Sequence, residues 1–247
     1  MRVRVVGGSG AWPVRGQACS GYLVERDGFR FLLDPGYGVA LHLPEGVAPG
    51  DVDAVYVSHG HPDHYADLHP LLRARVLNGQ TLPPLPIYSL PGAVSNVLEL
   101  DGLGELDGAH ASTEFPAGES FQVGPFGMDT FPLVHFVPNA GVRMSAGGQT
   151  VAYTGDTGPT PELESLAEGV DLLIAEATYP YSVPERFAGN LSTAREMGEL
   201  AARAGVGRLL LVHLWPASSR QVAEQAAREV YDGEVHVAFP DQVLELN

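Results

Sequence analysis

"SHGHPDHYAD", residues 58–67, carries three of the chain's nine histidines and two aspartates in ten positions. It follows the apolar run "DAVYV", so it reads as a loop at the end of a buried strand, with its base fixed by a sheet. Gly60 lets the backbone approach closely. Pro62 biases His61 away from helix, which predicts an extended stretch. In such a stretch neighbouring side chains diverge around two centres. Imidazole and carboxylate are ligands that zinc accepts. A single loop histidine ordinarily meets solvent or a hydrogen-bond partner. Four potential ligands in six positions, His59, His61, Asp63 and His64, favour a metal site instead.

One loop cannot fill two coordination shells, so partners are expected at other strand ends. His135 closes "TFPLVH", Asp156 closes "TVAYTGD" and His213 closes "RLLLVH". Singly, a buried histidine or a turn aspartate would be unremarkable. Their shared placement after apolar strands suggests one gathered site.

Composition limits the function. The formal net charge is -16, and all 14 basic residues are arginines that form no cluster. A protein gripping a long polyanion needs a basic footprint, so tight nucleic-acid binding loses weight. One cysteine, Cys19, rules out an internal disulfide framework and fits a reducing cytoplasm. Cys19 reads as a small buried residue. No apolar run is long enough for a membrane span, and "MRVRVV" reads as a strand, not a signal peptide.

Strand-like runs recur at 2–6, 21–25, 30–34, 53–58, 127–136, 141–145, 150–156, 171–177, 208–214 and 234–239. A helix over 67–78 is predicted from a cap at Asp67 and an apolar face of Leu68, Leu71, Leu72 and Val76. Thr193 with Glu196 makes a capping box before Met197, Leu200, Ala201 and Ala204. Ser218 with Gln221 repeats that pattern before Val222, Ala226 and Val230. The halves also look alike. "RFLLDPG" precedes "DVDAVYVSHGH" as "TVAYTGDTG" precedes "GVDLLIAEATY". Two facing sheets with helices outside would bury these strands.

"HGHPDH" matches the H-x-H-x-D-H signature of the metallo-β-lactamase superfamily, and the later His, Asp and His follow in order. The resemblance spans nearly the whole chain. It implies an α/β fold of α+β type, a four-layer αββα sandwich, as one domain over 1–247. "TGDTGP", "AEATY", "NLSTAREMGELAARAG" and "LLLVHLWP" resemble the ribonuclease Z-like branch. Within it, short bacterial members resembling atypical cyclic-nucleotide phosphodiesterases are most similar. The resemblance assigns one zinc to His59, His61 and His135, and a second to Asp63, His64 and His213, with Asp156 bridging. It gives Asp34 of "LLDPG" the task of steadying a ligand histidine from behind. Manganese or iron also suits such ligands.

The chemistry expected of that centre is hydrolysis. Two zinc ions about 4 Å apart can share a hydroxide and hold both oxygens of an in-line displacement. Asp63 would help to orient the nucleophile. Two departures from ribonuclease Z matter. The resemblance puts Asn190 where ribonuclease Z has the histidine that opens its late helix; asparagine can hydrogen-bond a phosphate but cannot shuttle a proton. That histidine's partner, the glutamate of "EAT", is Glu176 here. The second departure is a missing arm that grips transfer RNA: only one hairpin fits between His135 and Asp156. Processing of tRNA is therefore not expected.

Other residues adjoin the expected pocket. "GGSGAWP" at 7–13, with Ser9, offers either backbone N–H groups for an anion or a plain turn. Tyr65 either lines the pocket or packs beneath it, and Trp215, next to Pro216, either stacks on a base or joins the core. His42, His69, His110 and His236 read as ordinary. The leading expectation is a cytoplasmic dinuclear zinc phosphodiesterase acting on a small molecule such as a cyclic nucleotide. The rivals are a nuclease, an ester or lactone hydrolase, and a non-catalytic metal- or partner-binding protein. No membrane partner is expected, and the resemblance allows a homodimer.

Overall fold

In a computed structural model, which describes residues 1–79, 81–102 and 104–246, the strands form two seven-stranded sheets. The first contains β1 (Arg2–Gly7), β2 (Gly21–Arg26), β3 (Phe29–Leu33), β4 (Ala54–Val57), β5 (Leu85–Ser89) and β6 (His110–Glu114) in spatial order. The second contains β7 (Ser120–Val123), β8 (Phe126–Leu133), β9 (Asn139–Ala146), β10 (Gln149–Tyr153), β11 (Leu172–Glu176), β12 (Arg208–Val212) and β13 (Glu234–Val237), again in order. The C-terminal β14 (Val243–Glu245) returns to the first sheet and pairs with β1.

Alternation along the strands assigns the layers. Phe31, Leu33 and Tyr56 point inward, against Phe126, Val142, Tyr153 and Ile174 of the opposite sheet. The intervening Leu32, Val55 and Val57 point outward, to Leu68, Leu71 and Leu72 of α2 (Leu68–Leu77), which in the chain lies between the single turns α1 (Pro62–Tyr65) and α3 (Ser95–Leu98). On the other side Leu173, Ala175, Leu209 and Leu211 meet α4 (Glu162–Ala167), α5 (Ala194–Ala204) and α6 (Arg220–Arg228). β11 is buried on both faces, which explains why "LLIA" is a continuous apolar run before Glu176. The architecture is the four-layer αββα sandwich of the metallo-β-lactamase fold.

The two halves repeat in topology. β1 to β3 are antiparallel neighbours, and β3 to β6 run parallel. β8 to β10 and β10 to β13 do the same. The register is shared too. Leu33 pairs with Tyr56 as Tyr153 pairs with Ile174. This superimposes Thr154, not Asp156, on Asp34. Asp156 therefore lies two residues further out, where it faces the cavity instead of the strand ends.

Several boundaries differ from the sequence reading. β8 stops at Leu133, β10 at Tyr153 and β12 at Val212, so His135, Asp156 and His213 sit on the loops just beyond. The loop of His59 is not extended throughout. His61 is extended, but Pro62 opens the single turn α1 (Pro62–Tyr65), as proline at the first helical position does. The turn, not extension, is what splays His61 from Asp63 and His64. Asp67 precedes α2 but does not cap it; its carboxylate accepts from Ala40 N–H at 2.9 Å. Val76 is partly exposed. The cap of α6 is Ser219, whose Oγ accepts from Val222 N–H, and Val222 faces outward. The Thr193–Glu196 box of α5 forms as read. β5, β6, β7 and β14, of three to five residues each, are too short to show a periodic signal in the sequence.

Candidate metal centre

All seven expected ligands converge at one end of the sandwich. His59 Nε2 and His135 Nε2 lie 3.1 and 3.0 Å from His61 Nδ1. Beside this trio, Asp63, His64, Asp156 and His213 form a second group. His213 Nε2 is 3.2 Å from Asp63 Oδ2 and 3.1 Å from Asp156 Oδ2. Asp156 faces both groups: its Oδ1 is 3.4 Å from His64 Nε2 and its Oδ2 is 3.8 Å from His135 Nε2. Within each group the ligand atoms lie within 4.8 Å of one another.

The far nitrogens of the rings are held from behind, which fixes their tautomers. His64 Nδ1–H donates to Asp34 Oδ2 at 2.7 Å. His59 Nδ1–H donates to Ser58 Oγ, whose hydroxyl donates to the same Asp34 oxygen at 2.6 Å. Tyr153 OH reaches that oxygen from the opposite sheet, also at 2.6 Å. A parallel relay serves the second half. His213 Nδ1–H donates to Thr178 Oγ1, whose hydroxyl donates to Glu176. His135 Nδ1–H donates to the carbonyl of Asn190 at 2.8 Å. Each of these four rings turns its Nε2 toward the centre; His59 and His135 present a free lone pair there, while His64 and His213, held protonated by the carboxylates beside them, give up a proton when a cation binds.

The centre fits divalent cations. His64 Nε2 and Asp156 Oδ1 are buried without a hydrogen-bond partner. Such orphaned polar atoms are costly unless an ion takes them. His61 Nδ1 carries at most one proton and cannot fully satisfy both the His59 and the His135 nitrogen that lie within hydrogen-bond range of it. Burial, helped by neighbouring rings, holds His59 well below the usual histidine range, and burial does the same to His61 and His135. That leaves lone pairs free for a metal. His64 and His213 resist the same burial because Asp156 and Asp63 raise them. Burial also opposes the charge on Asp63, but His64 and His213 hold its carboxyl below the ordinary range. Ligand types and spacing suit zinc, manganese or iron.

Backbone strain marks the same place. Asp34, His213 and Ala11 adopt left-handed conformations, with φ of 50°, 57° and 62°. Non-glycine residues pay for this, and it persists where the surroundings over-determine it. Gly36 allows a close pass: a Cβ there would lie 1.9 Å from the Asp63 carbonyl oxygen. Asn139, buried on β9, donates its Nδ2 to the carbonyls of Thr154 and Asp156 at 3.0 and 2.8 Å, fixing the Asp156 loop.

Above the ligands lies a cavity of about 290 Å³. Beyond His61, Asp63, His135, Asp156 and His213, its lining includes Phe136, Phe187, Leu191 and Trp215. Phe136 and Phe187 carry no ligand-type signal in the sequence. The one hint is that Phe136 follows a ligand directly. Glu176 is fully buried behind the ligands and accepts from Thr178 N–H and Ser192 N–H at 2.9 and 2.8 Å. Burial, then the charge of Asp156, pushes its carboxyl up to about 8, against the pull of those donors. The Asn190 side chain turns away to Ala188 O at 3.3 Å; Leu191 is the residue of that loop facing the cavity.

The glycine-rich stretch 7–13 is no anion cradle. Gly8 and Ser9 N–H donate to Ala18 O, Gly10 N–H to Leu214 O, and Ala11 N–H to Asp63 Oδ2. It instead carries Trp12 to the rim, 4.9 Å from Trp215 and edge-on to it. Trp215 is half-buried at the mouth, while Tyr65 is buried with the outer-layer core and Cys19 is fully buried. His42, His69, His110 and His236 lie outside both ligand groups. Among the described residues no helix is long and apolar enough to cross a membrane.

Residues 29–214 match the model of the beta-lactamase superfamily domain. The Bacillus subtilis protein named probable metallo-hydrolase YhfI is 31% identical over 241 residues, covering 96% of this chain and 97% of that protein. Its crystal structure, that of a metallo-beta-lactamase fold protein, superimposes with a TM-score of 0.88 over 99% of both chains. Ribonuclease Z of Haloferax volcanii is 28% identical over an alignment of 303 positions, covering all of this chain and 95% of that one. That alignment exceeds the 247 residues here, so the relative carries insertions. The short form of human tRNase Z, 22% identical, shares the fold with a TM-score of 0.83 over the full length of both chains. Fold, signature loop and family match agree: the chain belongs to the beta-lactamase superfamily.

Proposed function

We propose that the protein is a metal-dependent hydrolase that binds two divalent cations, zinc first among them, and cleaves a small phosphodiester such as a cyclic nucleotide. The observation that carries this is Asp156, whose two oxygens face His64 on one side and His135 and His213 on the other. Cations held there would supply an ionised water near neutral pH and offset the negative charge that builds on the phosphoryl oxygens. The chain's own part is orientation. Asp34, through His64 and Ser58, aims the first ligand loop; Thr178 and Glu176 aim His213. Asp63, which lines the cavity and accepts from Ala11 N–H, would orient the attacking water. Glu176 reaches the reaction only through Thr178, and Asn190 through its carbonyl on His135.

The ribonuclease Z relative supports phosphodiester over carboxylic ester. The single β9–β10 hairpin between His135 and Asp156, together with the net charge of -16, favours a small substrate over tRNA. The test is a panel of bis-p-nitrophenyl phosphate, cyclic AMP, homoserine lactone and a short RNA, run on protein of measured metal content. Turnover of the two small diesters is expected. Turnover confined to the lactone, or salt-sensitive cleavage confined to RNA, would replace this reading with the corresponding rival. Intact metals with no turnover at all would favour a binding protein. The cytoplasm is the location proposed, in keeping with the free buried thiol of Cys19.

A further inference from the structure

The mouth of the cavity is walled by aromatic side chains that the metal chemistry does not use. Trp215 is the anchor: Tyr179 stacks on it at 5.8 Å with an interplanar angle of 21°, and Trp12 meets it edge-on. Phe187 lies 6.2 Å from Trp215, and Phe136 continues the wall 6.1 Å from Phe187. Phe136 and Trp12 remain about half exposed although both are large and apolar. They adjoin the ligands: Phe136 touches His135, with ring centroids 5.0 Å apart. Leu191 completes an apolar surface on the same cavity. Among the described residues no arginine lines it; Arg186 lies 4.5 Å over the Phe187 ring and is not part of the lining.

This combination has a chemical meaning. The metal groups at the floor can neutralise one phosphodiester. The wall's own side chains are apolar rings and Leu191, which offer a second phosphate no charged partner but offer ring surface to a flat group. Base–aromatic stacking tolerates any ring with a π-face. We infer that Phe136, Phe187 and Trp215 form a stacking wall that selects a singly charged phosphodiester bearing a flat aromatic group, a nucleobase or aryl ring, next to the scissile phosphate. The inference rests on the phosphodiesterase reading above and narrows its substrate.

Two measurements separate the inference from that reading. The first compares bis-p-nitrophenyl phosphate with methyl p-nitrophenyl phosphate, which release the same nitrophenolate but differ by one aryl group. Phe187→Leu and Phe136→Leu change a half-buried and an exposed position, neither of them a ligand, and the ratio of two substrates cancels any common effect on the metal centre. Each is expected to lower the ratio of kcat/KM for the aryl over the methyl diester by at least about fivefold, the low end of what stacking contributes. The second needs no turnover. The chain has two tryptophans, Trp12 and Trp215, both at this mouth, so intrinsic fluorescence reports on it directly. Adenosine 5′-monophosphate is expected to quench that fluorescence saturably, and ribose 5-phosphate is not. Phe187→Leu should weaken the quenching. An unchanged substrate ratio in both variants, or equal responses to the two phosphates, would overturn the stacking wall even if diesters are hydrolysed. Saturable quenching without diester turnover would uphold the wall and refute the phosphodiesterase reading.

Discussion

Asp34 Oδ2 and His64 Nδ1 lie 2.7 Å apart in a fully buried pair, and the same oxygen also receives Ser58 Oγ and Tyr153 OH. One carboxylate thus aims two ligand histidines and ties the sheets together behind the site. Asp34→Asn keeps the shape but replaces one acceptor oxygen with an NH₂. We expect metal affinity to fall about 10–100-fold, as it does when such supporting partners are lost. Competition with a coloured chelator measures this; unchanged affinity would mean that the rings are held without Asp34.

Asp156 and His61 belong to the centre itself. His61→Ala and Asp156→Ala should each abolish hydrolysis, and Asp156→Ala should also lower the metal content per chain, because its oxygens face both groups. Elemental analysis beside the diester assay decides the point. Full activity in either variant would contradict the ligand assignment.

Gly36 makes the site sensitive to a residue that touches no metal. A Cβ there would sit 1.9 Å from the Asp63 carbonyl oxygen, and backbone cannot yield as a flexible side chain does. Gly36→Ala should displace Asp63 and lower kcat/KM by about a hundredfold, the effect expected of an ångström's misplacement. A folded Gly36→Ala protein with normal kcat/KM would show that the α1 turn moves freely.

The metal-free protein should be most stable near pH 6.5. Folding lowers the pKa of His59, His61 and His135, so below about 6.5 the unfolded chain binds more protons and stability falls as the pH falls. Folding raises His64 and His213, so their contribution is complete below about 6.5 and is lost as the pH rises through their folded values. The melting temperature of EDTA-treated protein against pH should therefore show a maximum. A monotonic rise from pH 5 to 9 would contradict the paired imidazolium of His64. Metal binding competes with that proton, so affinity should rise with pH.

Away from the site, Thr193 accepts from Glu196 N–H and its own N–H donates to the Glu196 carboxylate at 2.8 Å. Thr193→Ala should cost about 1 kcal/mol in urea unfolding, with metal content unchanged.

How much of this was legible in the sequence depends on what each residue answers to. His59, His61, Asp63 and His64 declared themselves because coordination crowds ligand types into a short stretch. His135, Asp156 and His213 followed from apolar strands that point at them, although each lies one to three residues past the strand end. The fold was legible where strands are buried on both faces, as in β4 and β11, and less so in the short strands β6, β7 and β14 at sheet edges. The exposed β6, "HASTE", has no apolar alternation and is held by pairing with β5. The aromatic wall left little trace because Trp12, Phe136 and Phe187 come from three distant loops. The fate of the glycine-rich stretch was equally hidden: its N–H groups point to Ala18, Leu214 and Asp63, partners that only the tertiary fold supplies. The side chain of Asn190 turns outward for a local reason, its bond to Ala188 O.

The pairing of cations around Asp156 is tested most directly by anomalous diffraction from crystals grown with zinc. Two peaks per chain are expected, one among His59, His61 and His135, the other among Asp63, His64 and His213, with Asp156 between them. A lone peak outside both groups, or none at saturating zinc, would contradict it.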